Sequence, residues 1–85
     1  MNQKVYDSIM SGQSDNNINF FDFQNLIVDL GFEFIRSKGT SHRMYYHYGL
    51  NEFMNIQKFG NCAKGYQVRQ LRKIIVKHNL GVEKC

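Results

Sequence analysis

The chain has 85 residues, a formal net charge of +4 and no proline. A domain this small buries only ~60–65% of the surface its unfolded chain exposes, so the length allows one core and excludes a second domain or a deep substrate cavity. The longest unbroken apolar stretches, such as Ile74–Val76, run three residues, far short of the about 20 that a membrane span needs.

Met1–Asn2–Gln3–Lys4 is followed by Asp7 and no apolar run, which argues against a signal peptide. Two cysteines, Cys62 and Cys85, make no disulfide framework. Both features point to the cytosol. The charge is unevenly placed. Residues 1–31 set Lys4 against Asp7, Asp15, Asp22 and Asp29, a net −3, while residues 32–85 set ten Lys and Arg against Glu33, Glu52 and Glu83, a net +7. A basic C-terminal two-thirds suits a polyanion-binding surface.

In chain order, Val5, Tyr6 and Ile9 predict a short helix over 3–10, and Ser11–Asn17 reads as a polar loop. A stronger helix over 19–30 is marked by Asn19 as N-cap, Asp22 in the first turn and Gly31 just past the end. Its Phe20, Phe23, Leu26, Ile27 and Leu30 follow helical spacing. Beyond Gly31 the period becomes two, with Phe32 and Phe34 on one face and Glu33 and Ile35 on the other. Phe20, Phe23, Phe32 and Phe34 are expected in the core. Gly39–Thr40–Ser41 reads as a turn. His42–Tyr48 reads as a strand with His42, Met44, Tyr46 and Tyr48 on one side and Arg43, Tyr45 and His47 on the other. Gly49–Glu52 is a second turn and Phe53–Phe59 a third strand. After the glycines at 60 and 65, a helix over 66–78 sets Val68, Leu71, Ile74 and Ile75 on a buried side and Arg69, Arg72, Lys73 and Lys77 on a basic side.

The order α-α-β-β-β-α predicts an α+β domain: a three-stranded antiparallel meander with helices on one face. Tyr45 is expected on the open face, ready to stack on a base or sugar, and His47 toward solvent. His78 is expected at a helix C-terminus, where its cation complements the dipole.

Chemistry concentrates at one place. His42 follows Lys38–Gly39–Thr40–Ser41 and precedes Arg43. Two hydroxyls, a lysine and an arginine within four residues of an imidazole make a constellation for gripping a phosphate and moving a proton. The histidines and cysteines lack metal-ligand spacing, there is no phosphate-binding glycine loop or dinucleotide fingerprint, and the acids are dispersed. No metal and no cofactor are expected. Cys62 has no local base to activate it and reads as a chance loop cysteine.

The run Gly31–Phe32–Glu33–Phe34–Ile35–Arg36–Ser37–Lys38–Gly39–Thr40–Ser41–His42 resembles the signature of HicA-type toxins. There a helix ends in glycine plus an aromatic, and a strand leads to a Gly-Ser/Thr-x-His turn with the active histidine. Asn55–Ile56–Gln57 resembles that family's third strand, and Ala63–Arg72 the entry to its last helix. The resemblance covers about residues 20–80. It implies a double-stranded-RNA-binding-like α-β-β-β-α fold over 19–80, behind an N-terminal extension over 1–18. It also implies an endoribonuclease that cuts mRNA, the toxin of a toxin–antitoxin pair neutralised by a HicB-type protein.

The family histidine maps to His42. RNA supplies its own nucleophile, the 2′-OH, so one imidazole serves without a metal. Lys38, Arg43 or the Gly39–Thr40 amides would steady the charged phosphorane. Lys38, Gly39, Thr40, Ser41, Arg43, Arg69, Arg72 and Lys73 form the expected RNA-binding set. Two departures stand out: the acidic extension, which would either mask the protein's own basic face or merely cap the fold, and Gly65 where the family often has proline. A non-catalytic RNA-binding module and an adaptor for an acidic protein are the alternative readings.

Overall fold

The computed structural model describes residues 1–39 and 42–81. Its elements are α1 (Gln3–Ser11), α2 (Phe20–Asp29), β1 (Glu33–Lys38), β2 (His42–His47), β3 (Glu52–Phe59), β4 (Cys62–Ala63) and α3 (Gly65–His78). The helix starts follow from capping chemistry. The Asn2 and Asn19 side chains accept the N–H groups of Val5 and Asp22 at 3.2 and 3.1 Å, satisfying donors that have no partner inside the helix. Asp22 lies in the first turn of α2, where its charge suits the dipole.

The sheet is antiparallel throughout, in the order β1-β2-β3-β4. It therefore has four strands, not the three expected. The chain turns back at Gly60–Asn61, and Cys62 and Ala63 pair with Phe59 and Lys58. Two residues are too few to print a period on the sequence. Cys62 accordingly sits in a strand rather than a loop. The segment before α2 ties onto this hairpin: the Ala63 N–H donates to Ile18 O at 2.8 Å, and the Phe20 N–H to Asn61 O at 2.9 Å.

One core joins all the layers. Tyr6 and Ile9 of α1 and Ile18 are buried together with Phe20, Phe23, Leu26, Ile27, Phe32, Met54, Ile56, Val68, Leu71 and Ile75. The first eighteen residues thus contribute three side chains to the same core, and the Tyr6 hydroxyl donates to Leu80 O at 2.8 Å. Gln67 is the one polar residue buried among the described residues. Its Oε1 accepts the Gln57 N–H at 2.8 Å and its Nε2 donates to the Tyr66 hydroxyl at 3.2 Å, so α3 holds the edge of β3 by a satisfied amide.

Two aromatic expectations are corrected. Tyr45 is 3% exposed, buried beside Met54 in the helix-covered side of the sheet. Alternation had separated the two faces of β2 but not said which one the helices cover. Phe34 is 53% exposed. It pairs with Tyr45 in register, but β1 is the edge strand and every one of its residues is exposed, so only an edge-to-face contact with Tyr45 at 5.6 Å remains to it. No described helix is long and apolar enough to cross a membrane.

Candidate functional site

Register decides which side chains meet on the uncovered face. The pairing Lys38↔His42 between β1 and β2 continues as His42↔Gln57 between β2 and β3. Lysine, histidine and glutamine therefore stand abreast on three adjacent strands. Directly opposed residues share a face, with Cβ atoms ~4.5–5.5 Å apart. The next rows on the same face are Arg36, Met44 and Asn55, then Glu33, Tyr46 and Phe53.

This alignment depends on a bulge. Between Phe34 and Arg36, β1 advances two residues while β2 advances one, so Ile35 is the extra residue. A bulge shifts the side-chain phase. Without it Arg36 and Lys38 would share the face of Phe34, toward the helices. With it they join His42. The Arg36 guanidinium donates to Met44 Sδ at 3.4 Å across that face. Gly39, next after Lys38, has φ 69°, a left-handed conformation that side chains disfavour and that turns the chain toward His42.

Among the described residues His42 makes no side-chain hydrogen bond and is half-buried. An imidazole so placed is available to take or give a proton, and the Lys38 ammonium alongside would favour an anion there. Thr40 and Ser41, and Cys85 at the chain end, lie outside the described residues.

The remaining expected RNA contacts are scattered. Arg43 lies on the opposite face from His42: it donates to Gln24 Oε1 at 2.8 Å and its guanidinium sits 6.0 Å from the Phe20 ring centre. Its neighbour Tyr45 has its phenol pKa raised by burial, an effect the Arg43 cation partly opposes. Arg69, Arg72 and Lys73 belong to α3, on the helix side of the sheet. Arg72 forms a two-pronged ion pair with Asp15, at 2.8 and 3.1 Å, and donates to Ile9 O at 2.9 Å. The hydrogen-bonded Arg72 guanidinium holds the Asp15 carboxyl below its ordinary range, against the opposing effect of burial. Arg69 reaches the same carboxylate only at 3.9 Å. The acidic loop therefore neutralises part of the basic side of α3, while Lys73 stays exposed.

The other two histidines are engaged. His47 Nε2 lies 3.0 Å from Leu30 O, and His47 Nδ1 accepts the Leu50 N–H at 3.1 Å. A carbonyl on one side and an N–H on the other select the neutral Nε2–H tautomer. The ring also meets Phe32 edge-on at 5.2 Å. His47 is thus packed at a turn rather than facing solvent. Gly31 is what admits it: φ is 104°, and a Cβ there would come within 2.6 Å of His47 Nε2. His78 Nε2 lies 2.7 Å from Glu52 Oε2, with Lys77 Nζ at 3.4 Å from the same oxygen. His78 above all, then Lys77, holds the Glu52 carboxyl below its usual range.

Sequence reasoning missed Gln57 as the cross-strand neighbour of His42. The signal was present in the turn lengths, but it needed the register of both hairpins. Among the described residues no three His, Cys, Asp or Glu side chains gather where they could hold a metal ion. Compared with protein-family models, curated proteins and solved structures, the chain finds no match.

Proposed function

We propose that the protein is an endoribonuclease that cuts mRNA, with His42 as its catalytic residue. The observation that carries this reading is the row of Lys38, His42 and Gln57 on the uncovered face, entered through the left-handed Gly39. The sequence resemblance to HicA-type toxins supports it, and a small α+β domain with three helices and a four-stranded antiparallel sheet is compatible with it. On this reading the protein acts in the cytosol, inhibits translation and is held inactive by a HicB-type antitoxin with an acidic face that covers His42.

The chemistry uses the RNA's own 2′-OH. Its oxygen attacks the adjacent phosphorus while the bond from phosphorus to the 5′-oxygen breaks, leaving a 2′,3′-cyclic phosphate and a 5′-hydroxyl. His42 takes the 2′ proton or supplies one to the departing 5′-oxygen, help worth ~10²–10⁴-fold. The Lys38 cation steadies the charge that builds on the phosphorane. DNA lacks the nucleophile and is spared.

The test incubates the protein with single-stranded RNA and with the same sequence carrying 2′-deoxy sugars. Cyclic-phosphate ends are expected from the RNA only, and a folded His42→Ala protein should lose ~10²–10⁴-fold in rate. Undiminished cutting by that variant would overturn the assignment. Binding without cutting by the native protein would leave an RNA-binding module.

A further inference from the structure

A cleft of about 420 Å³ opens where the β3–β4 hairpin meets the start of α3, lined by Asn16, Phe59, Ala63, Lys64, Gly65, Tyr66 and Arg69. This is near the lower end of ligand-site volumes, ~300–1,000 Å³. Its two aromatic walls are unusually open: Phe59 is 72% exposed and Tyr66 54%. An aromatic ring left in water contributes nothing to the core and gains most from a flat partner. Two cations stand beside the rings. Lys64 has no ion pair among the described residues, and the half-exposed Arg69 is tied to Asp15 only at 3.9 Å because Arg72 holds that carboxylate more closely.

The cleft lies at the β3–β4 edge of the sheet, and its Phe59 wall belongs to the strand that pairs with His42. Phe59 follows Gln57 by two residues on β3 and so continues the face that Gln57 shares with His42. Two residues of strand span ~7 Å, close to the reach of one extended nucleotide.

We propose that this cleft is a nucleobase subsite for single-stranded RNA, in which a base stacks on Phe59 and Tyr66 while Lys64 and Arg69 hold the flanking phosphates. The proposal rests on the reading of His42 only for its place along the strand: the base in the cleft belongs to a nucleotide next to the scissile phosphate. Single strands are specified because a paired base has both faces already stacked and cannot enter. Arg69 thereby has a ligand-facing role, whereas Arg72 has a structural one.

The test measures affinity, not turnover. Fluorescent single-stranded oligoribonucleotides with 2′-O-methyl sugars bind without being cut. Phe59→Ala and Tyr66→Ala should each weaken binding by ~5- to 150-fold, the effect of losing one stacked base. Phe59→Tyr should restore it, and Val76→Ala, exposed elsewhere on α3, should bind as the native protein does. Thermal unfolding of each variant separates lost stacking from lost structure. A 2-aminopurine base in the oligomer should be quenched on binding to the native protein and not to Phe59→Ala. Native affinity in the Phe59→Ala/Tyr66→Ala protein would overturn the proposal, as would equal weakening toward a duplex of the same sequence. If the native protein fails to cut RNA yet shows these losses, the cleft stands and the assignment of His42 falls. If it cuts and the losses are absent, the reverse holds.

Discussion

His42 and His47 stand at the two ends of the six-residue strand β2 and face opposite sides of one sheet. His47 has both ring nitrogens occupied, by Leu30 O and the Leu50 N–H, and its ring packs on Phe32. His42 has a lysine on one side and a glutamine on the other, on a face that no helix covers. The same division runs along the strand, with Arg43 and Tyr45 turned toward α2 and Met44 and Tyr46 turned away. Residue type therefore says little about role here. What separates the two imidazoles is whether their nitrogens already have partners among the described residues.

The largest effect expected from this division is on stability. Tyr45→Ala should cost about 3–5 kcal/mol, the usual range for emptying a buried aromatic site. Tyr46→Ala, one residue on, should cost clearly less, because Tyr46 is only half-buried and its ring contacts are with the exposed Tyr48 and Phe53. Chemical denaturation of the two proteins measures the difference. Equal losses would mean that the two faces are not distinct.

A smaller effect separates the histidines. His47→Ala leaves the Leu50 N–H and Leu30 O without their partner and should cost about 1–3 kcal/mol, lowering the unfolding midpoint by roughly 4–8 °C per kcal/mol in a domain this size. The fraction that stays folded should still cut RNA at the native rate. His42→Ala should do the opposite, keeping the midpoint and losing the cutting. A His47→Ala protein that is stable but inactive would exchange the two roles.

How much of this was legible in the sequence depends on the range of the cause. The helices were legible because Asn19 and Gly31 act within one turn and because Val5 and Ile9, Phe23 and Leu26, and Leu71 and Ile75 fall at helical spacing. The alternation along β2 was legible for the same local reason. Its orientation was not, since nothing within the strand says which face the helices will cover, and Tyr45 was assigned to the wrong one. The Ile35 bulge inverted the phase of β1 and carried Lys38 onto the face of His42. A bulge is a property of two paired strands and leaves no mark on one. The Arg72–Asp15 pair joins residues 57 apart in sequence, so Arg72 looked like one more cation on a basic helix.

The next effect reads charge rather than stability. Lys38→Ala should reduce the magnitude of the slope of log affinity against log salt for single-stranded RNA by about 0.7, the signature of one lost phosphate contact. Arg43→Ala should leave that slope unchanged, because its guanidinium is turned to Gln24 and Phe20. Matching changes in both would place RNA on both faces and undo the distinction.

The smallest effect tests the tie at the far end of the sheet, where β3 meets the end of α3. Glu52 accepts from His78 Nε2 at 2.7 Å and from Lys77 Nζ at 3.4 Å. Those partners, His78 first, hold its carboxyl below the ordinary range in the folded protein. A carboxylate whose pKa is lower folded than unfolded binds fewer protons when folded, so its contribution is present above the unfolded value, about 4.3, and is lost as pH falls through the folded one. The native protein should therefore exceed Glu52→Gln in unfolding midpoint by a small amount at about pH 5. The two curves should converge below about pH 4, where the carboxyl has taken up its proton. The gap should also narrow in high salt, since the pair is solvent-accessible and screened. RNA cutting should be the same in both proteins, because Glu52 pairs with His47 in register at the end of β2 remote from His42. A gap that widens toward acid would mean that the carboxyl is stabilised in its protonated form, and would overturn the ion pair with His78.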